Sequence, residues 1–212
     1  MKHTPPPHGF ALPTLMLMLA LASIATLLAL RNLWVNEQLL NAHADQLRSE
    51  HKAEAVLPVA LADILGSTHF SDGTPNLRHT AGNNTQSHAF FPASTAEYDL
   101  LRQRLNTATC SAGICVPNML DVNANKASYW KSNTATAMSV NASDSPYGND
   151  SAWYWVEAFP YTTADNNSFI YRITALAQGV MPGSTTVLQA IWVRNNLTAT
   201  TGQWRSWHVL HD

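Results

Sequence analysis

The chain has 212 residues and a formal charge of −2, and only 12% of its side chains are charged. Without a basic excess or a basic patch, it lacks the electrostatic footprint of a nucleic-acid binder, and no nucleic-acid partner is expected. Few charges among abundant Asn, Thr, Ser and Ala fit an extracytoplasmic, non-enzymatic surface better than a cytosolic one.

Met1–Gly9 is polar and Pro-rich, with one Lys and two His. Phe10 to Leu30 then gives 21 residues without a charge. As a helix this stretch spans roughly 30 Å, the thickness of a bilayer's hydrocarbon core. The helical pattern continues past Arg31 and turns amphipathic. Leu33, Leu40 and Leu47 recur at seven-residue spacing, and Leu57, Leu61, Ile64 and Leu65 extend the apolar positions. Glu37, Asp45, Arg48, Glu50, Lys52 and Glu54 read as a solvated or partly paired face. Pro58 predicts a kink or a break, and Gly66 an end. A single helix from Phe10 to Leu65 would be about 85 Å long. The roughly 180 residues beyond the leader and the membrane half-helix make one domain with its own core, but a domain of that size cannot bury such a helix. Part of the helix must enter a membrane or other subunits.

This N-terminus resembles that of type IV prepilins, on the motif Gly9-Phe10-Ala11-Leu12, the nine-residue leader and the uninterrupted apolar helix. The resemblance implies that a prepilin peptidase cuts between Gly9 and Phe10 and that Phe10 becomes N-methylated. It also implies a helix surface for bundle assembly, with Leu12, Thr14 and Leu21 on it. Major pilins carry a Glu at the fifth mature position, where this chain has Thr14 after Pro13. A buried carboxylate without a partner is costly, so Thr14 implies an unusual neighbour, as at a pilus tip or in an initiation complex. Two other readings of the N-terminus stand beside this one. One is an ordinary secretory signal with Ala20-Leu21-Ala22 as its cleavage site, and the other an uncleaved membrane anchor.

Ser67 to Ala96 is turn-rich, with Asp72-Gly73-Thr74-Pro75 and Gly82-Asn83-Asn84, and predicts a surface connection with little regular structure. Ala96 to Thr107 is a short helix candidate with Leu100, Leu101 and Leu105 apolar. Cys110 and Cys115 are the two cysteines, and in an exported protein they are expected to form a disulfide that clips a local loop, with Gly113 making the turn. A redox pair would want two intervening residues, and zinc a second pair of ligands. Trp130 is the expected anchor of the Asn- and Ser-rich stretch from Asn118 to Asp150. The turn cluster Asp144–Asp150 does not match an EF-hand loop. Four strand patterns follow: Trp153–Phe159, Phe169–Ala177, Thr186–Arg194 and Gln203–Leu210. Their short connections favour an antiparallel meander. Trp153, Trp155 and Phe159 alternate onto one face, and strict alternation places Trp204 and Trp207 on opposite faces. The fold expected is α+β and pilin-like, a long N-terminal helix packed on an antiparallel sheet of about four strands. Its parts are a leader (1–9), a membrane or bundle half-helix (10–31), an amphipathic half-helix (32–66) and a globular head (67–212).

The C-terminal half resembles the PilX type of minor pilin. The resemblance rests on Trp155-Val156-Glu157, on Tyr171-Arg172-Ile173-Thr174-Ala175, on Gly179 and on Val187-Leu188-Gln189-Ala190. Cys110…Gly113-Ile114-Cys115 upstream, and Asn36-Glu37, Ala53-Glu54 and Ala55 in the helix, fit the same group. It implies a non-catalytic subunit that primes or caps type IV pilus assembly. Its implied partners are other minor and major pilins, the prepilin peptidase and the inner-membrane assembly machinery. The implied location is the inner membrane first and the pilus afterwards. A secretion-system pseudopilin and an anchored or secreted adhesin-like binding protein are the alternatives. No cofactor, metal or catalytic constellation is expected. The nine His are scattered without a His-Glu-x-x-His pair, there is no Gly-x-Ser-x-Gly elbow, and His43 and His51 are ordinary helix-surface positions.

Overall fold

The computed structural model describes residues 11–82, 87–106, 109–116, 122–140, 152–163, 166–196 and 199–212. Gly9, Phe10, the Asp144–Asp150 cluster and the Asn83-Asn84 pair lie outside them. The described part of the chain divides into two compact units, one ending at Ala44 and one running from Asp45 to the C-terminus.

The first helix, α1 (Ala11–Ile64), has 54 residues and runs through Pro58 without a break. Proline removes one backbone donor from the ladder, and packing of the flanking turns against the sheet outweighs that loss. The last helical turn closes through Leu65 N–H to Leu61 O at 3.0 Å, and Gly66 follows.

In the second unit, α1 covers one face of a mixed sheet. Four long strands make the expected antiparallel meander: β4 (Ala152–Thr163), β5 (Asn166–Gln178), β6 (Thr185–Arg194) and β7 (Gly202–Val209). Three two-residue strands that the pattern did not reveal extend it to seven: β1 (Cys110–Ser111), β2 (Ile114–Cys115) and β3 (Met138–Ser139). β2 runs parallel to β4, with Ile114 opposite Val156, so the sheet is not wholly antiparallel.

Both faces are buried, for different reasons. The face carrying Tyr154, Val156 and Ala158 of β4 and Ile173 and Ala175 of β5 meets Ala53, Val56, Ala60 and Ile64 of α1. Small Ala side chains at two of those four helix positions let the helix approach closely. The opposite face, with Trp155 and Leu176, packs on α3 (Ala127–Ser132), whose Trp130 is fully buried, and on the Cys110–Cys115 pair. The Trp153/Trp155 face therefore belongs to α3 and the disulfide rather than to α1. The helix stripe also differs from the leucine spacing. The buried positions are Asp45, Ser49, Lys52, Ala53, Val56, Ala60 and Ile64, while Leu33, Leu40 and Leu47 are exposed.

The segment from Ser67 to Ala96 is irregular, as expected, but it is not all surface: Phe90 and Phe91 are buried in the α1 face of the core. Arg104 of α2 (Thr95–Arg104) fixes it, donating to His88 O at 3.2 Å and to Ala81 O at 2.5 Å and stacking over Phe90. α2 begins where its sequence says it should. Ser94 caps it by accepting from Glu97 N, and the Glu97 carboxylate reaches back to Ala93 N at 2.7 Å.

Candidate assembly and binding surfaces

In the first unit, α1 shows apolar side chains in every direction. Leu15, Met16, Leu17, Met18 and Leu19 are consecutive and all more than half exposed, and five consecutive helix residues cover the full circle. Leu12 is 72% and Leu21 59% exposed, and Thr14 is exposed as well. At about 100° per residue, Thr14 and Leu21 share a face and Leu12 lies opposite. The three expected bundle positions therefore form no single stripe. The hydroxyls in this stretch are satisfied by the helix itself: Ser23 donates to Leu19 O and Thr26 to Ser23 O, both at 2.8 Å. A helix in hydrocarbon must meet every polar group internally, and these two bonds are compatible with that requirement. The window here has a mean hydropathy of 2.1, long and apolar enough to cross a membrane, and none of it is buried by the described residues.

Three polar clusters organise the head. At the C-terminal end of α1, Asp63 takes a bidentate pair from Arg78, with Nε at 2.8 Å and Nη2 at 2.5 Å, and the Tyr154 hydroxyl donates to it at 2.8 Å. Arg78 also donates to Ala112 O at 2.9 Å. One carboxylate thus ties the helix end, the 67–91 segment, the β1–β2 hairpin and β4 together. Burial first, then the adjacent Asp63 charge, pushes the Tyr154 phenol far above its ordinary range. His79 beside them stacks on Phe91, and burial pulls its imidazole below the usual 6.5.

The second cluster is Asp45, which the sequence placed on a solvated or partly paired face. It is 3% exposed and accepts from Met181 N–H at 2.9 Å and Val180 N–H at 3.0 Å, in the β5–β6 turn. These two backbone donors hold its carboxyl below the ordinary 3.8. Gly179 is required there, because a Cβ would lie 2.4 Å from the Asp45 carboxylate and 2.6 Å from the Ser184 hydroxyl. The third is the cross-strand pair Glu157–Arg172, joined at 2.5 and 2.6 Å with the guanidinium over Phe159. Burial pushes the Glu157 carboxyl up, against the pull of Arg172.

Cys110 and Cys115 are bonded and sit directly opposite each other across the β1–β2 hairpin, with Cα atoms 4.1 Å apart. The two-residue loop Ala112-Gly113 has positive φ at both positions, 47° and 77°, the geometry of a type I′ turn. Gly113 is also wedged between strands, bonding Thr136 O through its N–H and Val156 N–H through its carbonyl.

The last feature is a groove of about 440 Å³ lined by Glu54, Leu57, Pro58, Trp204 and Trp207. Both tryptophans stand on the α1 side of β7, contrary to strict alternation. The β6–β7 register shifts, so that Trp207 faces Ala190 and Ser206 faces Ile191, but Trp204 faces Trp192. Arg205 is the extra residue of a β-bulge, and a bulge resets which side the next side chain takes. Trp204 is 43% and Trp207 60% exposed. Among the described residues no three His, Cys, Asp or Glu side chains converge as metal ligands.

A long apolar N-terminal helix, and a head in which α1 covers one face of a mixed sheet, make a pilin-like fold. The model of the family described as type IV pilus assembly protein PilX, C-terminal region, matches residues 74–194, and the chain belongs to that family. The match includes residues 74–105, where the sequence offered no usable resemblance. No curated protein and no solved structure matches the chain. Involvement in type IV pilus assembly as a structural or assembly component follows from the family.

Proposed function

We propose that this protein is a minor pilin that takes part in priming or capping type IV pilus assembly and that it works by packing rather than catalysis. The observation that carries the reading is the half-helix whose apolar side chains are exposed all round, joined to a folded head of the PilX family. In this reading the peptidase cuts between Gly9 and Phe10 and Phe10 is N-methylated. The helix first anchors the subunit in the inner membrane with its head in the periplasm. The same helix then enters the bundle beside other minor and major pilins, handed over by the inner-membrane machinery, and Thr14 biases which neighbour it accepts.

Intact mass and N-terminal sequencing of protein from its own cells test the processing. A chain starting at N-methylated Phe10 is expected, and a start at Ser23 refutes it in favour of ordinary secretion. Leu21→Asp tests the mechanism. A charge at the centre of a spanning helix costs about 3 kcal/mol or more, so membrane retention and piliation should be lost. Normal piliation in that variant overturns the proposal.

A further inference from the structure

We infer that the Trp204–Trp207 groove is a binding site for a small organic cation of the quaternary-ammonium type, with choline as its simplest form. Two indole rings from one strand line the groove, Trp204 43% and Trp207 60% exposed, and the bulge at Arg205 turns both toward the helix. An indole face attracts a cation through its quadrupole, and Trp does so best among the aromatic residues. Glu54 supplies the countercharge on the helix side. Its Oε2 lies 3.3 Å from His51 Nδ1, and both side chains are well exposed, so the carboxylate stays open to the groove.

The remaining lining, Leu57 and Pro58, is apolar. A primary ammonium gives up strong hydration on entering such a place and finds few acceptors in return. A quaternary ammonium is weakly hydrated, carries its charge on methyl groups, and matches apolar walls with one carboxylate. The groove is not explained by core packing, since half or so of each indole remains exposed beside it. Nor is it covered by the family match, which ends at residue 194, ahead of both tryptophans. The inference goes beyond the role in pilus assembly and does not rest on it.

The test uses the full chain, labelled with 5-fluorotryptophan, in nanodiscs of phosphatidylglycerol so that the lipid brings no choline. Choline should shift the fluorine signals of Trp204 and Trp207 saturably and leave those of the buried Trp130, Trp155 and Trp192 in place. Trp204→Ala and Trp207→Ala should each weaken binding about twofold to thirtyfold, the range that one cation–π contact spans, while Phe at either position keeps most of it. Glu54→Gln should weaken binding and remove its dependence on salt. Unchanged melting of these surface variants separates lost binding from lost folding. Three results overturn the inference: no saturable shift, equal binding of the neutral isostere 3,3-dimethylbutanol, or shifts produced by methyl glucoside and not by choline.

Discussion

Replacing Gly113 by Ala should be among the most damaging single-methyl changes in the head. A Cβ there would stand 2.7 Å from Met138 Cβ and 2.9 Å from both Met138 N and Tyr154 O. Two of the three atoms are backbone, belonging to β3 and β4, so no side-chain rotation relieves the contact. The left-handed φ of 77° adds its own penalty, about 1–2 kcal/mol for a residue with a Cβ. Overpacking against fixed neighbours costs about 1–3 kcal/mol more. The sum, about 2–5 kcal/mol, is a large share of the roughly 5–15 kcal/mol that holds a domain together. Ala112 gives the control of opposite sign. It already holds φ 47° with a Cβ, and Asn tolerates that region better, so Ala112→Asn should stabilise by about 0.5–1 kcal/mol. Urea unfolding followed by tryptophan fluorescence measures both, with the disulfide intact. A Gly113→Ala loss below about 1 kcal/mol would refute the steric argument, and a destabilising Ala112→Asn would refute the turn assignment.

Asp63→Asn strands the Arg78 guanidinium, whose partner oxygens lie at 2.5–3.1 Å in a site only about a fifth exposed. A loss of about 2–3 kcal/mol is expected. Tyr154→Phe should cost about 1 kcal/mol, and the double variant should lose less than the sum, because both changes remove the same carboxylate contact; simple additivity in urea unfolding would show that the cluster does not act as a unit. The Asp45 carboxyl is held below 3.8 in the folded chain by its backbone donors. Its contribution is therefore complete above the unfolded value and lost as pH falls through the folded one. The stability gap between the wild type and Asp45→Asn should be widest near neutrality and narrow as pH falls past the unfolded carboxylate value toward the lower folded one. A gap that does not change with pH would mean that the bonds to Val180 and Met181 do not require the charge.

The elements visible in the sequence are those whose pattern outlasts local noise. The long helix and the four strands from β4 to β7 carry many periods of their own repeat, and their ends fall within a few residues of the expected ones. What stayed hidden depends on pairing between distant segments. β1, β2 and β3 are two residues each, too short for any alternation, and they exist because the hairpin and Met138–Ser139 add to an edge of β4. The buried stripe of α1 was hidden by its chemistry. Asp45, Ser49 and Lys52 look solvated, yet Asp45 is satisfied by a turn 135 residues away and Ser49 by the Thr186 hydroxyl at 2.7 Å. Of the apolar positions read from the helix, Leu47 is exposed, whereas Ile64 is buried and Leu57, Leu61 and Leu65 pack against the core.

The groove shows how little sequence it takes to defeat an alternation argument. Between Trp204 and Trp207 an unbroken strand would place the two rings on opposite sides. A single bulged residue, Arg205, turns both to one side, against Glu54 and Pro58 of the helix. Nothing in Trp-Arg-Ser-Trp marks that bulge, because it arises from how β7 must twist to keep pairing with β6 at Trp192. The buried Trp192 ring lies against Gly202, where a Cβ would come within 2.4 Å of it. Once Gly202 and Trp192 fix the start of β7 and Val209 opposite Leu188 fixes its end, the strand holds one residue more than its partner can match, and the bulge takes up the excess. The same constraint that spoils the alternation therefore builds the two-tryptophan wall on which cation binding depends.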